Sequence, residues 1–152
     1  MKKPPNNLEY KGKWVFNWFS NMLPLDEPFW YQAIQFKTVE NFYQAMKFPK
    51  DDLIKRKQAA IAPPHVSKTM LRNNKHLWRK DWTREESLKV MEYALRIKFA
   101  EGTSWHKKLM ETEGEIIEWN NWGDDYWGIP INTEIGKNNL GKILMKIRDE
   151  RL

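Results

Sequence analysis

A chain of 152 residues is long enough to bury a core as one domain, and its lack of cysteine excludes a disulfide scaffold, a thiolate nucleophile and a cysteine-ligated zinc site. No window is apolar enough to span a membrane, and Met1-Lys2-Lys3-Pro4-Pro5-Asn6-Asn7 has no apolar run behind its lysines, so a membrane partner and a signal peptide are not expected and a cytoplasmic location is. The net charge of +6, with Lys and Arg interleaved among nine tryptophans, suits an anionic partner such as a nucleotide or nucleic acid, and equally suits a Trp-rich core beneath a solvated basic surface.

In chain order, residues 1–9 are polar and Pro/Asn-rich and read as a flexible N-terminal arm, with 10–152 as the domain. From Trp14 to Phe36 the pattern is aromatic and β-leaning, with short strands expected at Phe29-Trp30-Tyr31 and Ile34-Gln35-Phe36. Thr38 caps a helix that runs from about Val39 to Phe48 and stops at Pro49. Helices are expected next from Asp51 to Ala60 and from Pro63-Pro64 to Leu71, proline being tolerated in a first turn. Thr83 caps the clearest helix, with Leu88, Met91, Leu95 and Phe99 as its apolar stripe and Gly102 at its end. Ser104 to Glu111 reads as another helix, Ile116-Ile117-Glu118-Trp119 as a short strand, and Asn120 to Gly136 as a long loop. A last helix starts at Asn138 or Asn139 and reaches about Arg151. The expected fold is mainly α (α+β), a compact single-domain helical fold with a small N-terminal β component.

Chemistry concentrates in three places. In Thr38-Val39-Glu40-Asn41-Phe42-Tyr43-Gln44-Ala45-Met46-Lys47-Phe48, helical spacing puts Glu40, Tyr43, Gln44 and Lys47 on one face, with Phe42 and Met46 turned into apolar packing. Glu40 falls in the first turn, where the helix dipole favours a carboxylate facing a developing positive charge; plain helix electrostatics is the simpler reading. The long loop holds Asp124-Asp125-Tyr126-Trp127-Gly128, a carboxylate and an aromatic ring beside a glycine, which suits stacking a base while holding a sugar hydroxyl; a turn cap and a core plug would look the same. Gly136-Lys137-Asn138-Asn139-Leu140-Gly141-Lys142-Ile143 follows a phosphate loop up to Ile143, which replaces the magnesium-binding hydroxyl, so an ATPase is rejected and a helix N-terminus flanked by Lys137 remains as an anion site. His65, His76 and His106 share no metal-ligand spacing, and no nucleophile elbow occurs. Any catalysis is therefore expected to use carboxylates, cations and rings, with no metal and no cofactor.

These pieces, in this order, resemble the NADAR family (the YbiA-like proteins). The resemblance runs from Phe19-Ser20-Asn21 through the Glu40 helix, Arg79-Lys80-Asp81-Trp82 and Ala94-Leu95-Arg96-Ile97-Lys98-Phe99. It ends in the Asp124 loop, the Gly136 segment and Leu144-Met145-Lys146-Ile147-Arg148. It implies an N-glycosidase domain over 10–152, acting on phosphoribosylated riboflavin-pathway intermediates or on ADP-ribose attached to guanine. By motif, the family's catalytic residues fall on Glu40, Asp124 and Trp127. Ser20, Asn21, Tyr43, Gln44, Lys47, Arg96, Lys98, Tyr126, Gly128, Lys137 and Asn138 are the expected substrate contacts, Arg96, Lys98, Lys137 and Asn138 at phosphate and Lys47 at the leaving group. Two departures stand out: Asn41 where the family usually has His, and Ile129-Pro130-Ile131-Asn132 where a Gly/Asp-rich stretch often follows. A non-catalytic binder of ADP-ribose or ADP-ribosylated nucleic acid is the alternative, and it has no need of two acids that repel phosphate. Substrate choice and oligomeric state stay open.

Overall fold

The structure, a computed structural model, describes residues 8–10, 13–15 and 20–150. Phe19, Arg151 and the first seven residues of the expected arm lie outside the described residues. Asn21–Lys98 forms one compact unit; the hairpin before it and the chain from Phe99 onward form the other.

The first unit opens with a hairpin of β3 (Phe29–Tyr31) and β4 (Ile34–Phe36), numbered after the two N-terminal strands, in the register Phe29↔Phe36 and Tyr31↔Ile34. That register leaves a two-residue turn, so both Gln32 and Ala33 take positive φ, 53° and 61°, as a twist-matched hairpin turn demands. Four helices follow: α1 (Val39–Ala45), α2 (Leu53–Ile61), α3 (Pro64–Arg72) and α4 (Arg84–Lys98), with a 3₁₀ turn at Lys75–Leu77. Thr83 caps α4 through the Glu86 amide, as the sequence predicts, and Asp52 caps α2 through the Lys55 amide.

Helix α1 is the centre of this unit, and every one of its residues is buried. Phe42 has the rings of Phe29, Tyr31, Phe36 and Tyr93 around it at centroid distances of 5.2 to 5.6 Å, edge-on or tilted. The helix is shorter than its apolar pattern suggests. Lys47 and Phe48 donate to carbonyls three residues back, Gln44 and Ala45, so the last turn tightens before Pro49, which has no N–H to continue it. The 3₁₀ turn carries no periodicity long enough to be seen in the sequence.

In the other unit, β1 (Leu8–Tyr10) pairs antiparallel with β2 (Lys13–Val15). Helix α5 (Ser104–Met110), capped by Thr103, and helix α6 (Asn139–Asp149) supply most of its apolar interior, with Leu109, Leu140, Leu144 and Ile147 nearly inaccessible. The expected strand at 116–119 is displaced: β5 is Trp119–Asn120, and it pairs in parallel with β6 (Ile129–Pro130) inside the segment expected to be loop. Two residues each are too few to show alternation. Ile129 N donates to Glu118 O and Ile131 N to Asn120 O across the pair. Among the described residues, no helix is long and apolar enough to cross a membrane.

Candidate active site

The start of α1 is built by short-range chemistry. Thr38 Oγ1 accepts from Asn41 N at 3.0 Å and donates to Asn41 Oδ1 at 2.6 Å, while Glu40 N donates to Asn21 O at 3.0 Å. Glu40 is therefore held on the backbone side by a residue from outside the helix, and its carboxylate is only 7% exposed. Gln44 Nε2 donates to Glu40 Oε1 at 2.8 Å. Two acceptors belonging to these neighbours, Gln44 Oε1 and Asn21 Oδ1, are buried with no donor among the described residues. Buried oxygens left like this are costly unless a ligand supplies donors, and hydroxyl groups would do so.

Lys47 completes this face. It is 9% exposed, and its Nζ lies 4.9 Å from the ring centre of Tyr43 and 4.5 Å from that of Trp78. Burial lowers its pKa from 10.5 to about 8; Glu40 pulls it back up, and Lys68 and Lys75 press it further down. A lysine that changes charge close to neutral pH, with a carboxylate near enough to feel, is equipped to deliver a proton. Gln44 thus meets Glu40 one helical turn on, and Lys47, beyond the end of α1, lies over the Tyr43 ring. Trp78 is the residue the sequence reading missed: it sits 31 positions beyond Lys47, just past the 3₁₀ turn, and no local pattern connects the two.

Asn41 faces elsewhere. Its Nδ2 donates to Ala59 O and to Ala62 O, both at 2.8 Å, closing the C-terminal end of α2. The departure from the family's usual residue is thus a helix clamp whose polar atoms are all spent within the fold. Asn41→Ala leaves those carbonyls unsatisfied and is expected to cost about 2 kcal/mol, read as a lower urea midpoint at unchanged m value.

In the second unit, Asp124 shapes the loop. Its Oδ1 accepts from Tyr126 N at 3.0 Å and Trp127 N at 2.9 Å, and Asn120 brackets the same residue by accepting from Asp124 N and donating to Asp124 O. The carboxylate keeps Oδ2, which has no hydrogen-bond donor among the described residues. Tyr126 and Trp127 meet edge to face with centroids 4.9 Å apart, and Lys137 Nζ stands 5.9 Å from the Tyr126 ring. Gly128 has its own reason: a Cβ there would run into the Glu118 carbonyl across the β5–β6 pair.

The phosphate contacts expected from sequence look different in three dimensions. Asn139 N and Leu140 N, which open α6, already donate to Tyr126 O and Trp127 O, so the first donors of the expected anion site are taken by carbonyls. Asn138, at φ 53°, accepts from Glu118 N and donates to Ile116 O, tying the β5 approach to the helix. Arg96 turns onto Glu92 one helical turn back at 3.0 Å, and Lys98 is 1% exposed at the end of α4. Ser20 is half-buried just before the first unit. Periodicity places a cation on a helix face, and it does not reveal what the cation already holds.

Comparison with known proteins gives the class first. The chain is similar to an N-glycosidase of Nostoc punctiforme, at 31% identity over 93% of this chain and 89% of that one. It is 35% identical to the N-glycosidase YbiA of Shigella boydii over 74% of this chain and 69% of the relative. A chloroplastic riboflavin biosynthesis protein of Zea mays matches 97% of this chain at 30% identity, but the match spans only 25% of that longer protein. The NMR structure of YbiA from E. coli superposes with a TM-score of 0.71 at 29% identity, covering 88% of this chain and 76% of that one. The NADAR domain model matches residues 9–151, and the chain belongs to that family. It is an N-glycosidase, a hydrolase of glycosidic bonds to nitrogen.

Proposed function

We propose that the enzyme hydrolyses the ribosyl N-glycosidic bond of ADP-ribosylated guanine, as nucleoside or in nucleic acid, or of a phosphoribosylated riboflavin-pathway intermediate, without a metal or cofactor. The observation that carries this reading is a buried Glu40 beside unspent acceptors, close enough to raise the pKa of a ring-walled Lys47 that burial lowers to about 8. Breaking such a bond makes the sugar positive at C1 and the ring oxygen. The Glu40 carboxylate stabilises that charge and takes a proton from the attacking water. The water oxygen bonds to C1 as the C1–N bond breaks, and the Lys47 ammonium passes its proton to the departing base. Asn21 Oδ1 and Gln44 Oε1 are acceptors suited to ribose hydroxyls. Asp124 and Trp127 are further candidate catalytic residues by the family's motif. The longer riboflavin biosynthesis relative supports the second substrate, and the net charge of +6 favours the more highly charged first one.

The test is base release followed by mass spectrometry, with an ADP-ribosyl-guanine oligonucleotide and a phosphoribosylated pyrimidine of the riboflavin pathway offered side by side. Release from one of them identifies the substrate class. Binding without release from either overturns this reading in favour of a different ribosyl substrate or a non-catalytic binder.

A further inference from the structure

A cavity in the Asn21–Lys98 unit has none of Glu40, Gln44 or Lys47 in its wall. It measures about 330 Å³, and its wall carries Lys50, Arg56, Arg79 and Lys89 with the rings of Tyr31 and Tyr93; Glu86 is the one carboxylate in that wall. Glu86 is already engaged, since Arg79 reaches it at 2.9 Å and Asp81 at 3.2 Å. Arg56 is different. It is 3% exposed, yet it bonds only neutral acceptors: Phe48 O through Nε and Nη2, and Gln32 Oε1 through Nη1. No carboxylate lies within ion-pairing distance of it among the described residues. A guanidinium this deep is rarely left without an anion, because removing its hydration costs more than neutral acceptors return. Burial and the charge of Arg79 both push its pKa down.

Both terminal nitrogens of Arg56 retain a second N–H beyond these bonds, and the side chain lines the cavity. Gln32 is held in place by the strained two-residue turn and by its own bond to Lys50 O, so the guanidinium is fixed before any ligand arrives. Lys50 and Lys89 add exposed cations to the same wall, Lys89 with only a surface contact to Glu85 at 3.6 Å. We propose that this cavity is an anion site that takes a phosphate group, gripped by Arg56 and screened at its edge by Lys50 and Lys89. Planar guanidinium forks and flanking ammonium groups are the chemistry that recognises phosphate. The group belongs either to a free phosphorylated molecule or to the backbone of a nucleic-acid strand.

Two probes separate these sources: pyrophosphate and an unmodified single-stranded DNA octamer, each titrated into the full-length protein and into its Lys50→Ala/Lys89→Ala variant. Both substitutions are on exposed side chains, so the fold is retained. Pyrophosphate affinity about tenfold weaker in the variant assigns the site to a free phosphorylated molecule. Octamer affinity that falls similarly, with a salt dependence shallower by about two charges and pyrophosphate unchanged, assigns it to a strand. Wild-type protein that binds neither probe, or a variant that binds both as wild type does, overturns the proposal. Because only binding is read, such a result leaves the hydrolysis reading untouched.

Discussion

Glu40→Gln is expected to lower the rate of base release by about 10²-fold or more while leaving the protein folded. The amide is isosteric and can still meet Gln44, whose Nε2 lies 2.8 Å from the carboxylate, and no cation is within ion-pairing distance of Glu40 among the described residues. Little stability therefore rests on the charge itself. What the amide cannot do is stabilise a positive sugar or accept a proton from water. The variant also removes the charge that holds the Lys47 pKa up, so that pKa should fall below about 8. Wild-type turnover in a well-folded Glu40→Gln protein, measured per folded molecule, removes Glu40 from the mechanism.

Lys47 provides the second large effect, visible in rate and in stability. If its ammonium delivers the proton, kcat/KM falls above about pH 8, and Lys47→Met loses both that alkaline limb and about 10²-fold or more of the rate. The stability change has a definite sign. The folded pKa lies below the unfolded one, so between about 8 and 10.5 the unfolded chain binds more protons, and stability rises with pH across that window. Below pH 8 the buried ammonium weakens the fold in full, by about 3 kcal/mol less whatever the Tyr43 and Trp78 rings return. Urea unfolding of wild type and Lys47→Met at several pH values checks this. The methionine variant should be the more stable at pH 7, and the gap should narrow from about pH 8 and level off only above about pH 10.5. A gap that does not change with pH, together with a retained alkaline limb, overturns the role given to Lys47.

Much of the scaffold could be read without coordinates, for local reasons. Thr38 and Thr83 each cap a helix through the side-chain oxygen their type supplies. The Phe29–Phe36 hairpin followed from aromatic strands around a short gap. The contact of Gln44 with Glu40 followed from helical spacing alone. The failures have one physical cause. The β5–β6 pair and the carbonyls that occupy the first amides of α6 join backbone groups from separate segments, and the Asn138 clamp joins a side chain to backbone about twenty residues earlier, with no local pattern to announce them.

Helix limits to within a few residues, the family, and the identity of the carboxylates and rings available for chemistry can be read from neighbouring residues, because caps, periodicity and ordered motifs are local properties. Which of those groups keep capacity for chemistry depends on how distant segments pack. That packing closed two rings around Lys47, and the water excluded there brought the lysine's titration to about pH 8. It turned Asn41 away from Glu40 into a clamp on α2. It also left Arg56 deep in the fold with no carboxylate among its bonding partners. Burial and hydrogen-bond partnership depend on which distant segments meet, and they control how much each charge costs and what it can do.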